Sequence, residues 1–434
     1  MDTAFINIWG VRVGAIAWDE TQKLASFEYD TKFLKRGWDL APIKMPIANT
    51  NHIYSFPELR EPRGAENDTF KGLPGLLADM LPDNYGNQLI NIWLAQQGRL
   101  SNSMNPVEKL CFIGTRGMGA LEFEPVTSSS QSNSTSIEID SLVNISRQML
   151  EKREAFVTDL NANEEKAMMD ILSIGTSAGG ARPKAVIAYH KETGEVLSGQ
   201  TLAPDGYEHW LIKLDGVSDA QLGDTMGYGR VEMAYYKMAI DCGIEMMECR
   251  LLEENDRAHF MTKRYDREGG AVKHHVQTWC GIEHFDFNAI GSYSYEQFFQ
   301  TMRKLKLDYT EAEQMFRRMV FNVIARNCDD HTKNFSFRMK KDELWTLAPA
   351  YDICHAYRPD SYWVSQHALS INGKRKDHTR QDLISVARSM NIKQPERIID
   401  EISNVVSSWN VYAKEQNVSQ DKMNAIRQTL LLDL

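Results

Sequence analysis

The sequence predicts an α+β chain, strand-rich through its first two thirds and helical towards its C-terminus. Three observations predict it. Short runs of β-branched and aromatic residues broken by glycine recur from Phe5 to Arg267. The segment around Met315 to Ile324 carries a wide apolar stripe at helical spacing. A run of small polar residues, Val126 to Ser136, separates the first strand-rich unit from the rest, because such a run buries too little surface to offset its ordering entropy.

Composition sets the limits. The 434 residues suffice for two or three domains, and 42% apolar with 25% charged residues is ordinary for a globular protein. A net charge of −10 argues against broad affinity for DNA or anionic membranes. No apolar run reaches the roughly 18 residues of a membrane span, and the start Met1-Asp2-Thr3-Ala4-Phe5 lacks the pattern of a secretion signal. The six cysteines show no framework spacing, so reduced thiols and a cytoplasmic location are expected. Cys280 with His274, His275 and His284 fits no structural-zinc spacing.

From the start, Phe5 to Ile16 reads as a hairpin turning near Gly10, with Phe27 to Asp30 as a partner strand. Gly72 to Gly86 reads as turns around a short apolar helix. Cys111 to Pro125 reads as strand, glycine turn, strand, and the absence of a following Gly-Lys-Ser/Thr argues against a phosphate loop. After the polar run, Leu142, Ile145 and Met149 mark a helix. Gly175, Gly179 and Gly180 either form a plain glycine hairpin or allow close backbone approach to a ligand, to which Arg182 and Lys184 add positive charge, and Ala185 to Tyr189 is the strand that follows. His209 to Leu214 is an apolar strand holding one lysine, Lys213. A buried ammonium needs an anionic partner or a route to solvent, and Glu232, on a helix patterned by Met233, Tyr236, Met238 and Ile240, is the candidate partner. Met261 to Arg267, including Thr262, reads as a strand running into a charged connection. Thr310 with Glu313 reads as a capping box opening the helix of Met315, Phe316, Met319, Val320, Val323 and Ile324.

The stretch after that helix carries the chemistry. Asn334 follows Asp329 by five residues, and Asp352 lies eighteen further on, past an apolar run and a proline. These residue types at this spacing are the parts of a phosphoryl-transfer site: a carboxylate to accept a hydroxyl proton, and an Asn and a second Asp as hard-oxygen ligands for Mg²⁺. Downstream, Gly373 to Arg380 is a basic loop in an acidic protein. Such a charge run is usually a solvated face; otherwise its Lys374, Arg375, Lys376 and Arg380 are the candidate contacts to a phosphate backbone.

In order, these motifs resemble the HipA-like toxin kinases of bacterial toxin–antitoxin pairs. The resemblance rests on Leu73-Pro74-Gly75, Leu81-Pro82-Asp83, Gly117-Met118-Gly119-Ala120-Leu121, Gly180-Ala181-Arg182-Pro183-Lys184, Asp329-Asp330-His331-Thr332-Lys333-Asn334 and Tyr351-Asp352. It implies a two-lobed, protein-kinase-like fold: a strand-rich subdomain at 1–125, a linker or exposed loop at 126–136, a β-rich nucleotide-binding lobe at 137–265 and an all-helical lobe at 266–434. It implies a serine/threonine kinase using ATP and Mg²⁺. Asp329 would be the catalytic base, Asn334 and Asp352 the metal ligands, and Lys213 with Glu232 the phosphate-binding pair. Gly179, Gly180, Ala181, Arg182 and Lys184 would cover the phosphates, Met261 and Thr262 would flank adenine, and His331 and Lys333 would contact the nucleotide. Ser177, or its neighbour Thr176, would be autophosphorylated, adding about −1.5 to −2 charges and switching the kinase off. Implied partners are a HipB-like helix-turn-helix antitoxin, operator DNA through that complex, and a protein substrate such as an aminoacyl-tRNA synthetase. A kinase-fold co-repressor with little activity and a small-molecule kinase are the alternatives. Two departures stand out: Asp330 replaces a common glycine and would crowd negative charge beside the triphosphate, and Lys263 stands where some relatives carry an acid.

Overall fold

Trp9 and Gly10 set the first sheet. Both lie at positive φ, 49° and 75°, as a two-residue hairpin turn requires, so β1 (Thr3–Ile8) runs antiparallel to β2 (Val11–Asp19) with Ile8 opposite Val11. β3 (Leu24–Tyr29), β4 (Ile53–Tyr54) and β5 (Leu121–Glu124) complete the order β4-β3-β2-β1-β5. Alternation buries Ala4, Ile6 and Ile8 of β1 on one face. The computed structural model describes residues 1–50, 52–60, 68–127, 136–152, 171–172, 175, 182–199, 203–217 and 226–434.

The strand expected at Cys111 is instead the end of a helix, Pro106–Ile113. Asn105 caps it by accepting from the Glu108 N–H at 2.8 Å, Pro106 occupies the first turn, and Gly114, at φ 60°, ends it. Val107, Leu110 and Cys111 are buried at helical spacing, a period that the short apolar run Cys111-Phe112-Ile113 masks when read alone. The helix predicted from Leu142 and Ile145 spans Ile139–Lys152 with both residues buried. The Met149 side chain and most of the polar run, 128–135, lie outside the described residues.

The second sheet has the order β7-β6-β8-β10-β9, from β6 (Lys184–His190), β7 (Val196–Ser198), β8 (Tyr207–Lys213), β9 (Cys249–Glu254) and β10 (Arg257–Lys263). Ile187, Trp210, Ile212 and Met261 share one buried cluster with Leu89 and Ile90 of the helix Asn84–Gln96 and with Phe112. The early helices thus close the core of the second sheet.

The chain forms two compact units. One comprises Met1–Met226, Arg250–Val276 and Lys340–Asp342; the other comprises Gly227–Cys249, Gln277–Met339 and Glu343–Leu434. In the second, the helix Tyr228–Asp241 buries Val231, Glu232, Ala234, Tyr235 and Met238. Of the pattern read from sequence, only Met238 lies on that stripe; Ile240 is 40% exposed. The unit is mainly helical, with a hairpin of Ser336–Met339 and Trp345–Leu347 set into it.

The helix Tyr309–Ile324 buries all six residues of its predicted stripe. Its capping box is Asp308 with Glu311, two residues before the pair expected: Asp308 accepts from the Glu311 N–H at 3.1 Å and Glu311 from the Asp308 N–H at 3.0 Å. Glu311 also accepts from the Leu347 N–H at 2.6 Å, which ties the cap to the hairpin. Replacing Asp308 by Ala should therefore cost about 1 kcal/mol in urea unfolding, and Thr310→Ala much less.

Candidate functional site

The packed helix delivers the loop that follows it. Its C-terminal turn passes to Arg326, and the next residues run beside the 356 segment: the Ala356 N–H donates to the Arg326 carbonyl at 3.0 Å and the Cys328 N–H to the Ala356 carbonyl at 2.9 Å. Asp329 emerges with its side chain 51% exposed and His331 Nε2 at 3.7 Å from its carboxylate. A short 3₁₀ turn, Thr332–Asn334, follows, anchored by Thr332 donating to the Phe285 carbonyl at 2.9 Å. Asn334 donates its Nδ2 to the Asp329 carbonyl at 2.5 Å. The side-chain amide thus braces the loop across its five-residue span and leaves Oδ1 as its hard-oxygen end.

Tyr351, next to Asp352, donates its phenol to the Lys333 carbonyl at 2.6 Å and lies 2.5 Å from the Ser336 hydroxyl. Lys333 precedes Asn334. The two halves of the sequence motif, eighteen residues apart, are therefore fastened together by the residue before each. Asp352 is half-buried at φ 55°, a left-handed conformation that Asp and Asn adopt more readily than most residues with a side chain. Lys333 sits 4.4 Å over the Phe287 ring, and Phe287 packs against His331 at 5.4 Å.

Asp330 does not crowd this site. It is 1% exposed and turned into the unit: Tyr295 donates to Oδ2 at 2.8 Å, the Ala368 N–H to Oδ1 at 2.7 Å, and His367 Nδ1 lies 2.8 Å from Oδ2. Asn322, from the delivering helix, donates to the Tyr295 oxygen at 3.0 Å and accepts from Asn327 at 2.9 Å. Burial alone lowers the His367 pKa, but the Asp330 carboxylate more than reverses this and holds it at about 10. The same burial, together with the His367 charge, holds His378 below its ordinary value. Asp330 is thus an internal anchor for the loop, not a second charge facing a ligand.

In the other unit, register places Lys184 and Phe260 on either side of Lys213, so the three form one row across β6, β8 and β10. Lys213 Nζ is 5.7 Å from the Phe260 ring centre. Lys184 is 2% exposed, with its ammonium 3.9 Å from Asp83 of the Leu81-Pro82-Asp83 motif, a partner sequence spacing could not reveal. Asp83 also caps the helix Asn84–Gln96 through the Gly86 N–H at 2.7 Å. The Met261 side chain belongs to the core cluster, and Thr262 is half-buried opposite Leu211. Lys263 pairs with Glu208 of β8 at 2.5 Å, a bond that serves the sheet. Arg182 is half-buried ahead of β6. Gly179, Gly180, Ala181, Thr176 and Ser177 lie outside the described residues, and Lys213 and Glu232 belong to different units.

Sequence reading overlooked a buried triad. Asp266 accepts from Arg264 and Arg267, each at 2.6 Å, and from the Gly119 N–H at 2.6 Å, while Arg267 donates to the Gly117 and Gly119 carbonyls. Burial raises the Asp266 pKa, but the guanidiniums outweigh it and hold the carboxyl well below the usual range.

The basic loop is largely committed within its own unit. Lys374 pairs with Asp382 at 2.8 Å, Arg375 donates to the His367 carbonyl at 2.7 Å, and Arg380 pairs with Asp400 at 2.7 Å. Lys376 is exposed. Among the described residues no three His, Cys, Asp or Glu side chains cluster for a metal, and no helix is long and apolar enough to cross a membrane.

Residues 4–124 match the HipA N-terminal domain and residues 176–409 the HipA-like C-terminal domain. HipA of Shewanella oneidensis MR-1, solved with HipB and its operator DNA, is similar over 98% of this chain and 94% of its own, with a TM-score of 0.67 at 15% identity. The proinflammatory kinase CtkA of Helicobacter pylori is a weaker likeness: TM-score 0.34 and 12% identity over 52% of this chain and 88% of its own. No curated protein matches the sequence. The C-terminal match alone spans more than half of the chain, and the N-terminal match precedes it in order, so this protein belongs to the HipA-like family.

Proposed function

We propose that the chain is an ATP- and Mg²⁺-dependent serine/threonine protein kinase, the toxin of a type II toxin–antitoxin pair. One observation carries the reading: Tyr351 bonds the Lys333 carbonyl and so brings the Asp352 segment against the loop of Asp329 and Asn334. The donor set suits Mg²⁺, which takes hard oxygen ligands and keeps several waters. Asn334 Oδ1 and the Asp352 carboxylate would hold it. Bound Mg²⁺·ATP supplies the phosphoryl group and neutralises its charge in transfer. The half-exposed Asp329 carboxylate accepts the proton of the incoming hydroxyl, and the Asn334 bond to its own backbone keeps it in place.

The HipB-like antitoxin, and operator DNA through it, are proposed as partners because the similar Shewanella HipA was solved with both. The proposed target is a component of translation such as an aminoacyl-tRNA synthetase, and phosphorylation at Ser177 is the proposed off-switch. Intact mass with and without ATP and Mg²⁺ tests the core of the reading. A gain of phosphate supports it, and an unchanged mass for the protein and for a mixed protein acceptor pool rejects it.

Asp352→Asn tests the metal role without disturbing the backbone, since Asn tolerates the left-handed conformation. The loss of one carboxylate should weaken Mg²⁺·ATP binding in calorimetry about tenfold or more. Equal affinity in variant and parent removes Asp352 from the metal site.

A further inference from the structure

We infer that the loop 357–367 is a docking surface for the peptide segment of a protein phosphoacceptor, with the rings of Tyr362 and Trp363 gripping an apolar side chain near the acceptor serine or threonine. The inference rests on the kinase reading above and adds to it a docking loop and two specificity residues.

Both feet of this loop are bonded to the chain that carries Asp329. Before it, Ala356 pairs with Arg326 and Cys328. After it, the Ala368 N–H donates to the Asp330 carboxylate at 2.7 Å. The loop therefore leaves and rejoins the protein on either side of the catalytic position. It is built around buried Ser361, whose hydroxyl accepts from the Trp363 N–H at 3.2 Å and the Val364 N–H at 3.3 Å. The Arg358 N–H donates to the Val364 carbonyl at 3.3 Å and the Ser361 N–H to the Arg358 carbonyl at 3.0 Å, closing the turn.

That turn presents Tyr362 and Trp363 outwards, 76% and 46% exposed, as an edge-to-face pair with ring centres 5.2 Å apart. Two large adjacent rings held in water by a well-bonded turn leave apolar surface that a partner can cover. Trp and Tyr are the residues most enriched among anchors of protein interfaces, whereas small-molecule sites are concave. A nucleic acid fits less well, because stacking surfaces work beside cations that track the backbone, and the arginine of this turn, Arg358, is paired with Asp360 at 3.4 Å.

Chain length sets the reach. Trp363 is five residues from Ala368, so it lies within about 18 Å of that foot. An extended peptide covers the distance in about five residues. The gripped side chain should therefore fall within about five positions of the acceptor hydroxyl.

The test uses the full chain with paired peptides, each holding one serine and differing by Leu or Asp at a single position up to five residues to either side. The parent should prefer Leu at one or more of these positions. The double variant Tyr362→Ser with Trp363→Ser should lose that preference through a rise in KM of about tenfold, with kcat and the thermal midpoint little changed. A parent with no preference, a parent that phosphorylates no peptide, or a variant that keeps the preference overturns the inference. The kinase reading is judged separately by the parent's own mass: if it gains phosphate from ATP and Mg²⁺ while the peptides show no preference, docking alone fails. If neither the protein nor any peptide gains phosphate, both fail.

Discussion

Asp329→Asn should abolish phosphoryl transfer and leave the fold untouched. Its side chain is half-exposed and its anchoring bonds run through the backbone: the carbonyl accepts from Asn334, and the neighbouring Cys328 N–H is bonded to Ala356. The substitution keeps the shape and removes the proposed proton acceptor, so the rate should fall by roughly 10² to 10⁴ or more. Growth arrest on expression should disappear with it, and the thermal midpoint should stay within a degree or two of the parent, since surface changes usually shift stability by less than about 0.5 kcal/mol. An unaltered autophosphorylation rate would remove Asp329 from the chemistry. Continued growth arrest without phosphoryl transfer would favour a role as a binding protein.

Asp330→Ala, one residue on, should have the opposite signature. It removes a buried carboxylate that receives Tyr295, His367 and the Ala368 N–H. Breaking a buried pair from one side costs about 3 to 5 kcal/mol, to be read by urea unfolding. The pH dependence identifies the partner. The His367 pKa is raised from its ordinary 6.5 to about 10 in the folded protein, so its contribution is complete below 6.5 and lost as pH climbs through 10. The stability gap between parent and variant should narrow across that window. A gap that does not change with pH would mean that His367 carries no charge beside Asp330.

These neighbouring residues also show what a sequence can disclose. Asp329, Asn334 and Asp352 stand out in the sequence because their spacing is local and their residue types suit one chemistry, and the Tyr351 bond to Lys333 joins the segments that carry them. Asp330 is not, because the side chains that define it, Tyr295 and His367, lie 35 and 37 residues away in the chain and share no periodic signal with it. Lys184 and Asp83, 101 residues apart, are hidden for the same reason. The strand β8 is legible from its short apolar run, and the helix after Asp308 from a six-residue stripe that persists over several turns. The run at Cys111 is too short for its period to show, and there a capping Asn105 and a first-turn Pro106 were the better guides. The cap at Asp308 was displaced by two residues because Thr310 and Glu313 reproduce the spacing of Asp308 and Glu311.

The Asp266 knot bears on how this protein can be cut into pieces. The N-terminal match ends at residue 124, yet Gly119 supplies an N–H to Asp266, and Gly117 and Gly119 supply carbonyls to Arg267. A truncated chain starting after the first domain would face water with two guanidiniums and a carboxylate shaped around a loop that is no longer there. The loop at Gly117 to Gly119, inside the N-terminal match, thus acts as a wall around Asp266 and Arg267 of the C-terminal match.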